Sequence, residues 1–375
     1  MTTSLELRSL LHDHGEIELA LVRVPVPSLQ ADELLVRVEA TPINPSDLGL
    51  LFGPVEPRNL VAGANDEGPT LRASVPKTLL PSLAARVGKA LRAGNEGAGT
   101  VVGAGSAPEA QALLGRTVAL LGGAMYAEHR VARVRDVLAL PPGTPARDGA
   151  SCFVNPLTAL SMLEVLRREG HDALVHTAAA SSLGQMLVRL CRAEGIPLVN
   201  IVRSETQAAL LRGLGAEHTL DSSAPTFHAD LVETLKATGA TLAFDAVGGG
   251  KLAGQILSAM EAACVSKMTT YSRYGSPTRK HVYDYGALDL GPTEIPRAVG
   301  LAWSVGGFLV TYFLETLAPE DIARMRARIV AELTTTFASH YAETISLRGM
   351  LDPAKVAAYT KKGTGAKVLI DPSRP

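Results

Sequence analysis

The chain has 375 residues, enough for two domains with separate cores, and its composition, 46% hydrophobic and 19% charged, excludes a disordered chain. A formal net charge of −1 argues against a protein built to grip nucleic acid or an anionic membrane. Three cysteines, Cys152, Cys191 and Cys264, form no C-x-x-C pair, so neither a disulfide framework nor a zinc knuckle is encoded.

The N-terminal stretch MTTSLELRSLLHDHGEIEL carries acids and histidines where a secretory signal would be basic and then apolar, which fits a cytoplasmic protein. Residues 16–27 and 33–40 read as strands. In the second, Leu34, Val36 and Val38 alternate with Leu35, Arg37 and Glu39, as a half-buried strand requires. Shorter strands are expected at 101–105 and 117–121, between glycine-rich turns. Residues 54–93 break the pattern: PVEPRNLVAGANDEGPT is loop-like and PKTLLPSLAARVGKALRAG predicts a short basic helix. The segment reads as an insertion, a surface lid or an oligomer contact.

From about residue 156 strands and helices alternate. Helices are predicted at 158–169, 183–194, 205–214, 229–238 and 251–265, and strands at 173–177, 197–202, 217–220, 241–247 and 281–287. Alternation at this spacing predicts a parallel sheet covered by helices on both faces, an α/β chain. A long helix (319–336), a strand-like segment (341–347), a helix (353–361) and a final strand (366–370) follow. This C-terminal piece is expected to return to the first domain. The domains are then residues 1–155 with 341–375, including the 54–93 insertion, and residues 156–340. The uncharged stretch 298–314, AVGLAWSVGGFLVTYFL, is at the lower edge of membrane-spanning length. Its three glycines and polar residues make it a buried or subunit-interface segment instead, and no membrane is expected as a partner.

The first strand of the alternating series runs into AAASSLGQ, a turn that opens a helix. A dinucleotide pyrophosphate rests at such a turn, against backbone N–H groups and the positive helix end. In the G-x-G-x-x-G pattern the last glycine falls on Gly184, with Ala179 and Ser181 in place of the first two. Small side chains still let the backbone approach a phosphate, so Ala180, Ser181, Ser182, Leu183 and Gly184 are candidate cofactor residues, and the two serines add hydroxyl donors. The next strand ends in Arg203 and Ser204. An acid at that place would hold a ribose 2′-hydroxyl, whereas an arginine accommodates a 2′-phosphate, which favours NADPH over NADH. Glu205 leaves the NADH alternative open.

Several stretches stand in a characteristic order along the chain: ATPINPSD, GNEGAGTVVGAG, GGAMYAEHRVA with LALPPG, NPLTAL, AAASSLGQ, LRGLGAEHTLD, FDAVGG and TGAKVLIDP. In these stretches the chain resembles the medium-chain dehydrogenase/reductase superfamily, in its zinc-independent NADPH:quinone oxidoreductase-like branch. The resemblance implies a GroES-like β-rich catalytic domain plus a Rossmann doubly wound parallel-sheet cofactor domain. It also implies a homodimer joined through the cofactor domains, and hydride transfer from a nicotinamide in the interdomain cleft.

Site residues follow from the same resemblance. Asn44 and Asp47 would lie near nicotinamide and substrate, and Asn155 and Thr158 at the nicotinamide-ribose end. Val247 and Gly248 would pass the ribose, and Tyr285, Gly286, Ala287 and Leu288 would run beside the nicotinamide. Lys367 would reach the cofactor, and Phe308 to Val310 would close the pocket. Zinc-dependent relatives place a cysteine at the position of Asn44 and a histidine at that of Asn95; an asparagine amide is a poor zinc ligand, Cys152 is out of register, and no metal is predicted. His12 and His14 read as solvated surface residues.

Without a Lewis acid, alcohol–ketone exchange is hard, whereas hydride adds readily to a quinone or an α,β-unsaturated carbonyl. The tyrosine that relatives often place after N-x-x-D is Phe52 here, so the proton would come from Tyr126, Tyr271, Tyr274 or water. The primary expectation is an NADPH-dependent quinone or enone reductase, with a small-molecule substrate as partner. An enoyl-thioester (CoA or acyl-carrier-protein) reductase, with Lys77, Arg86, Lys89 or Arg92 meeting the CoA phosphates, and a non-catalytic NADPH-binding sensor or structural protein remain open beside it.

Overall fold

The computed structural model describes residues 2–361 and 367–374. The chain divides into two units, Met1–Val154 with Arg328–Pro375, and Asn155–Ala327. The first unit opens with β1 (Thr3–Leu11), β2 (Glu16–Pro25), β3 (Glu33–Pro42), α1 (Pro45–Phe52), β4 (Val61–Asn65), β5 (Gly68–Ser74) and β6 (Ala90–Arg92). Then come β7 (Glu96–Ala104), α2 (Pro108–Gln111), β8 (Thr117–Leu121), β9 (His129–Arg133), β10 (Val137–Ala139) and α3 (Ala146–Gly149). Helix α4 (Val154–Glu169) leads to β11 (Leu174–His176), α5 (Ser182–Glu194), β12 (Leu198–Val202), α6 (Glu205–Gly213), β13 (His218–Asp221), α7 (Phe227–Thr238) and β14 (Leu242–Asp245). The short β15 (Gly248–Gly250), α8 (Leu252–Val265), β16 (Lys280–Asp284), β17 (Asp289–Thr293), β18 (Trp303–Gly307) and α9 (Val310–Leu314) follow. Helix α10 (Pro319–Ala331) precedes β19 (Tyr341–Ile345), α11 (Pro353–Tyr359) and β20 (Lys367–Ile370).

Two sheets build the first unit. One has the order β4-β5-β2-β1-β6; the other runs β10-β8-β7-β3-β20-β19, with β9 also paired to β3. In the first, Leu7 lies opposite Leu21 and Leu11 opposite Ile17, all four buried, so the period of two turns one apolar face inward. Leu7, Leu19 and Leu21 pack with Leu51 and Phe52 of α1 and with Met350 and Leu351. Each fully buried leucine stabilises the unit by about 2 kcal/mol. Near the C-terminus, Leu369 pairs with Pro42 and Ile370 with Thr41, antiparallel, so β20 is an inner strand of the second sheet.

The second unit holds a six-stranded parallel sheet of order β13-β12-β11-β14-β16-β18. Its central strands are buried along their whole length, β11 and β12 on both faces, as helix-covered parallel strands must be. The architecture is an antiparallel β-rich unit plus a doubly wound parallel-sheet unit.

Residues 54–93 differ from the expected loop and basic helix. Strands β4 and β5 form a hairpin, and Asn65 Oδ1 accepts the N–H groups of Glu67 (2.9 Å) and Gly68 (3.1 Å) in the turn between them. Lys77–Arg86 winds as 3-10 turns, because Pro81 inside it lacks the N–H an α-helix needs. The stretch 298–314 is another departure. It holds β18 and α9, and Leu301, Leu309 and Tyr312 are 72%, 51% and 69% exposed in the chain, which is against the buried alternative and not against a subunit-interface segment. The strand expected at 281–287 stops at Asp284 and the helix expected at 319–336 at Ala331; Ala366 and the Thr364-Gly365 of TGAKVL lie outside the described residues. Among the described residues one helical stretch, Ala146–Glu169, is apolar and long enough to cross a membrane; 83% of its window is buried, as in a core helix.

Lys280 at the start of β16 is fully buried and donates to Glu261 of α8 at 2.5 Å and to Thr278 O at 3.0 Å. Glu261 also accepts the Ser276 N–H at 2.8 Å. Removing one partner strands a buried charge, so Glu261→Ala should cost about 3–5 kcal/mol, while the pair Lys280→Met with Glu261→Leu should cost far less. Urea unfolding of the three chains tests this; equal losses in both variants would show that the charge balance is not what matters.

Candidate active site

In the second unit β11 and β14 are neighbours, yet β12 and β13 separate them in sequence, so the sheet order reverses between them. Loops leaving the carboxyl ends of strands diverge at such a reversal, and ligands bind there. Thr177 to Ser181 form the turn from β11 into α5, with Ala178 held at φ +48°. Ser181 caps α5, its Oγ accepting the Gly184 N–H at 3.2 Å. Glycine is required at 184 because a Cβ would stand 2.0 Å from Ala179 O. The N–H groups of Ala180, Ser182 and Leu183 have no acceptor among the described residues, and they lie at the positive end of a 13-residue helix.

A buried acid ties this turn to its neighbours. Asp245, at the end of β14, accepts Thr177 Oγ1–H (2.6 Å) and the N–H groups of Val247 (2.9 Å) and Gly248 (3.2 Å). Tyr285 donates its N–H to Asp245 O and Leu288 its N–H to Ala246 O. Gly286 passes so close that a Cβ would sit 2.3 Å from Ala246 O. The turn Ala180–Gly184, the pair Val247–Gly248 and the run Tyr285-Gly286-Ala287-Leu288 are thus brought together. The buried His176 ring stacks on Tyr285, with Nε2 and Oη 2.7 Å apart, and burial pushes its pKa down to about 3, leaving it neutral. Arg203 is exposed at the end of β12, its N–H donating to Gln207 Oε1 at 3.0 Å. Ser204 caps α6, and the Glu205 carboxylate pairs with Arg212. Asn155 and Thr158 are three residues apart on α4 and share a face. Phe308 packs edge-on against Phe244.

The first unit contributes a buried polar network. Asp47 Oδ2 accepts the Asn44 N–H and Oδ1 the Asn95 N–H, both at 2.8 Å. Burial raises the Asp47 pKa to about 6; the two N–H bonds oppose the shift and the Glu96 charge adds to it. Asn44 Nδ2 donates to Glu96 Oε1 at 2.9 Å, and Asn95 Nδ2 to Ser46 Oγ at 2.8 Å. Glu96 Oε2 accepts the N–H groups of Phe153 and Val154, each at 2.9 Å. Lys367 Nζ donates to Ser151 Oγ at 2.8 Å and stands 3.9 Å from Glu96 Oε1; burial lowers its pKa, against the pull of Glu96 and Asp47. Tyr126 Oη donates to Pro42 O at 3.1 Å, and burial holds the phenol protonated. Tyr271 and Tyr274 are exposed. Cys152 is a buried thiol held protonated by burial, and among the described residues no group of three or more His, Cys, Asp or Glu could hold a metal.

No protein-family model matches the chain. A mitochondrial enoyl-acyl-carrier-protein reductase of Xenopus tropicalis is 31% identical over 235 residues, 58% of this chain and 57% of that protein. A chloroplastic quinone-oxidoreductase homolog of Spinacia oleracea is 30% identical over 214 residues, 54% of this chain and 56% of that one. The matches span little more than half the length of these relatives. Solved structures align over nearly the whole chain. A Mesorhizobium loti protein provisionally ascribed NADPH:quinone reductase activity superposes with a TM-score of 0.72 at 26% identity, covering 99% of both chains. The complex of Candida tropicalis Etr1p with NADP and crotonyl-CoA gives a TM-score of 0.69 at 20% identity, over 99% of this chain and 100% of the other. The chain has the fold of the medium-chain dehydrogenase/reductase superfamily. In sequence and structure it is similar to the quinone oxidoreductase- and enoyl reductase-like proteins of that superfamily.

Sequence reasoning about the site missed Glu96, Ser151, Tyr341, His176, Thr177 and Asp245. Ser151 Oγ lies 2.8 Å from Tyr341 Oη across 190 positions, a separation no local pattern reveals. Glu96 and Asp245 did carry a signal: each is an acid inside an otherwise apolar or glycine-rich strand run, GNEGAG and LAFDAV. A lone acid in such a run needs donors wherever it is buried.

The raised Asp47 pKa has a defined sign. The folded chain holds the Asp47 proton more tightly than the unfolded chain does, so this group's contribution to stability is complete below about pH 4 and is lost as pH rises through about 6. Urea midpoints of Asp47→Asn should therefore fall less steeply between those pH values than those of the wild type. Parallel curves would remove Asp47 as the source.

Proposed function

We propose that the chain is an NADPH-dependent reductase that transfers hydride to a quinone or an α,β-unsaturated carbonyl without a metal. One observation carries the reading: the Ala180–Gly184 turn opens α5 where the sheet order reverses, with three N–H groups that have no acceptor among the described residues and with Arg203 at the end of the next strand. The residues present fit a dinucleotide. The Ala180, Ser182 and Leu183 N–H groups would take the pyrophosphate, and the Arg203 guanidinium and Ser204 hydroxyl the 2′-phosphate. Val247, Gly248 and the run Tyr285–Leu288 would flank the ribose and nicotinamide, and Asn155, Thr158 and Lys367 would complete the binding set. When bound, reduced NADP supplies the hydride. Asn44 and Asp47, fixed by mutual hydrogen bonds, would lie nearest the acceptor, and Tyr126 would serve through its hold on the Pro42 carbonyl.

An enoyl thioester is the second acceptor class, favoured by the enoyl reductase relative and by Etr1p, which was solved with NADP and crotonyl-CoA. A second copy would pair along the outer edge of β18, where Val305 is 38% exposed in the chain; the Etr1p/Etr2p pair is a heterodimer.

The test follows NADPH and NADH absorbance with quinones, enals, enones and enoyl thioesters, with and without chelator. The expected result is NADPH oxidation by a quinone or enone that survives chelation. Faster turnover of crotonyl-CoA than of a free enone selects the second class, and NADPH binding without turnover rejects both. Arg203→Ala should raise the KM for NADPH about tenfold or more and leave that for NADH within about twofold. Equal use of both cofactors by the wild type would remove the role given to Arg203.

A further inference from the structure

Glu96 begins β7 in the GNEGAG run, and its side chain has no exposed surface. Four groups meet it. Asn44 Nδ2 donates to Oε1 at 2.9 Å, Lys367 Nζ stands 3.9 Å from the same oxygen, and Oε2 accepts the Phe153 and Val154 N–H groups at 2.9 Å each. Its own carbonyl accepts Thr41 Oγ1–H at 2.6 Å, which fixes the strand from which the carboxylate reaches. One acid therefore holds three chain segments that are distant in sequence. The first is the N-cap of α1, with Asn44 and, one turn on, Asp47. The second is the first turn of α4, where Val154 precedes Asn155 and Thr158. The third is the start of β20, with Lys367.

We infer that Glu96 is a positioning residue for the reductase site, setting the Asn44 amide with one carboxylate oxygen and the first turn of α4 with the other. The inference rests on the reading above that Asn44 works near the acceptor and that Asn155 and Thr158 work near the cofactor. The two oxygens have separable tasks. Two backbone donors on Oε2 fix α4 as a carboxylate at a helix N-terminus does, with charge and dipole in agreement. Oε1 orients Asn44: with Nδ2 committed to the carboxylate, the amide has one orientation, and its buried Oδ1 has no hydrogen-bond partner among the described residues. A glutamine at 96 keeps an acceptor for the backbone pair but turns an NH2 toward the Asn44 NH2, so the amide must rotate or lose its partner. Alanine removes both tasks.

The experiment compares wild type, Glu96→Gln and Glu96→Ala by NADPH dissociation constant (fluorescence titration), by kcat and KM with the acceptor that the wild type reduces fastest, and by thermal melting. For Glu96→Gln the expected result is an NADPH dissociation constant within about twofold of wild type and a kcat lower by about tenfold or more. For Glu96→Ala it is a further loss of kcat together with a dissociation constant raised about fivefold or more. A role confined to fold stability would lower the melting temperature and leave this split absent. Wild-type kcat in folded Glu96→Gln overturns the inference, as does unchanged NADPH binding in folded Glu96→Ala. If the alanine variant does not fold, the glutamine variant decides alone. A wild type that binds NADPH but reduces no acceptor would sink the reaction proposed above and leave Glu96 to be judged on the alanine variant's cofactor binding. A wild type that binds no NADPH overturns both.

Discussion

A carboxylate taken out of water has to find its hydrogen bonds inside the protein, and in this chain that demand is what shapes the loops around the candidate site. Asp47, Glu96, Asp245 and Glu261 are all buried, and each accepts at least one backbone N–H from a turn or a helix start. An N–H bond to a charged oxygen is stronger than one to a neutral carbonyl, and breaking it leaves an unsatisfied charge in a poor solvent. The loops so held have little freedom to wander. Both units use the device, and in both it sits under residues assigned here to the reaction.

That arrangement separates two kinds of work. In the second unit the parallel sheet fixes where β11 and β14 end, and Asp245 with Thr177 draws the two departing turns together. In the first, β20 and the start of α1 carry Lys367, Asn44 and Asp47, and the polar network around Glu96 ties their side chains. A reductase acting on a conjugated acceptor needs geometry more than strong acids or bases, because the acceptor is already electron-poor. Tyr126 donates to Pro42 O and His176 is neutral against Tyr285, which leaves Asp47, its pKa raised to about 6 by burial, as the group that changes protonation near neutral pH.

The sequence made the second unit easy to read. Short apolar runs alternating with amphipathic helices locate β11 to β14 and α5 to α8 within a few residues, since each element's period is set by local geometry. It was poor at two places. Strand β18, WSVGG, is short and glycine-rich, and only its pairing with β16 makes it a strand. Strand β4 has small residues exposed throughout and shows no alternation, so its pairing with β5, itself held on β2, decides it. The site was legible where small residues mark a turn, as at Ala180–Gly184, and illegible where polar groups meet across 57 or 68 positions, as Glu96 meets Phe153 and Thr177 meets Asp245.

The turn after β11 also bears on the denatured chain. Where a dinucleotide turn ordinarily carries glycines, alanine and serine start from fewer accessible backbone states, so less configurational entropy is surrendered when the turn sets. Against this, Ala178 at φ +48° sits in a region that a residue with a Cβ resists by about 1–2 kcal/mol. A denatured ensemble narrowed on one side and a strained torsion on the other are each on the order of 1 kcal/mol and act in opposite directions on the turn.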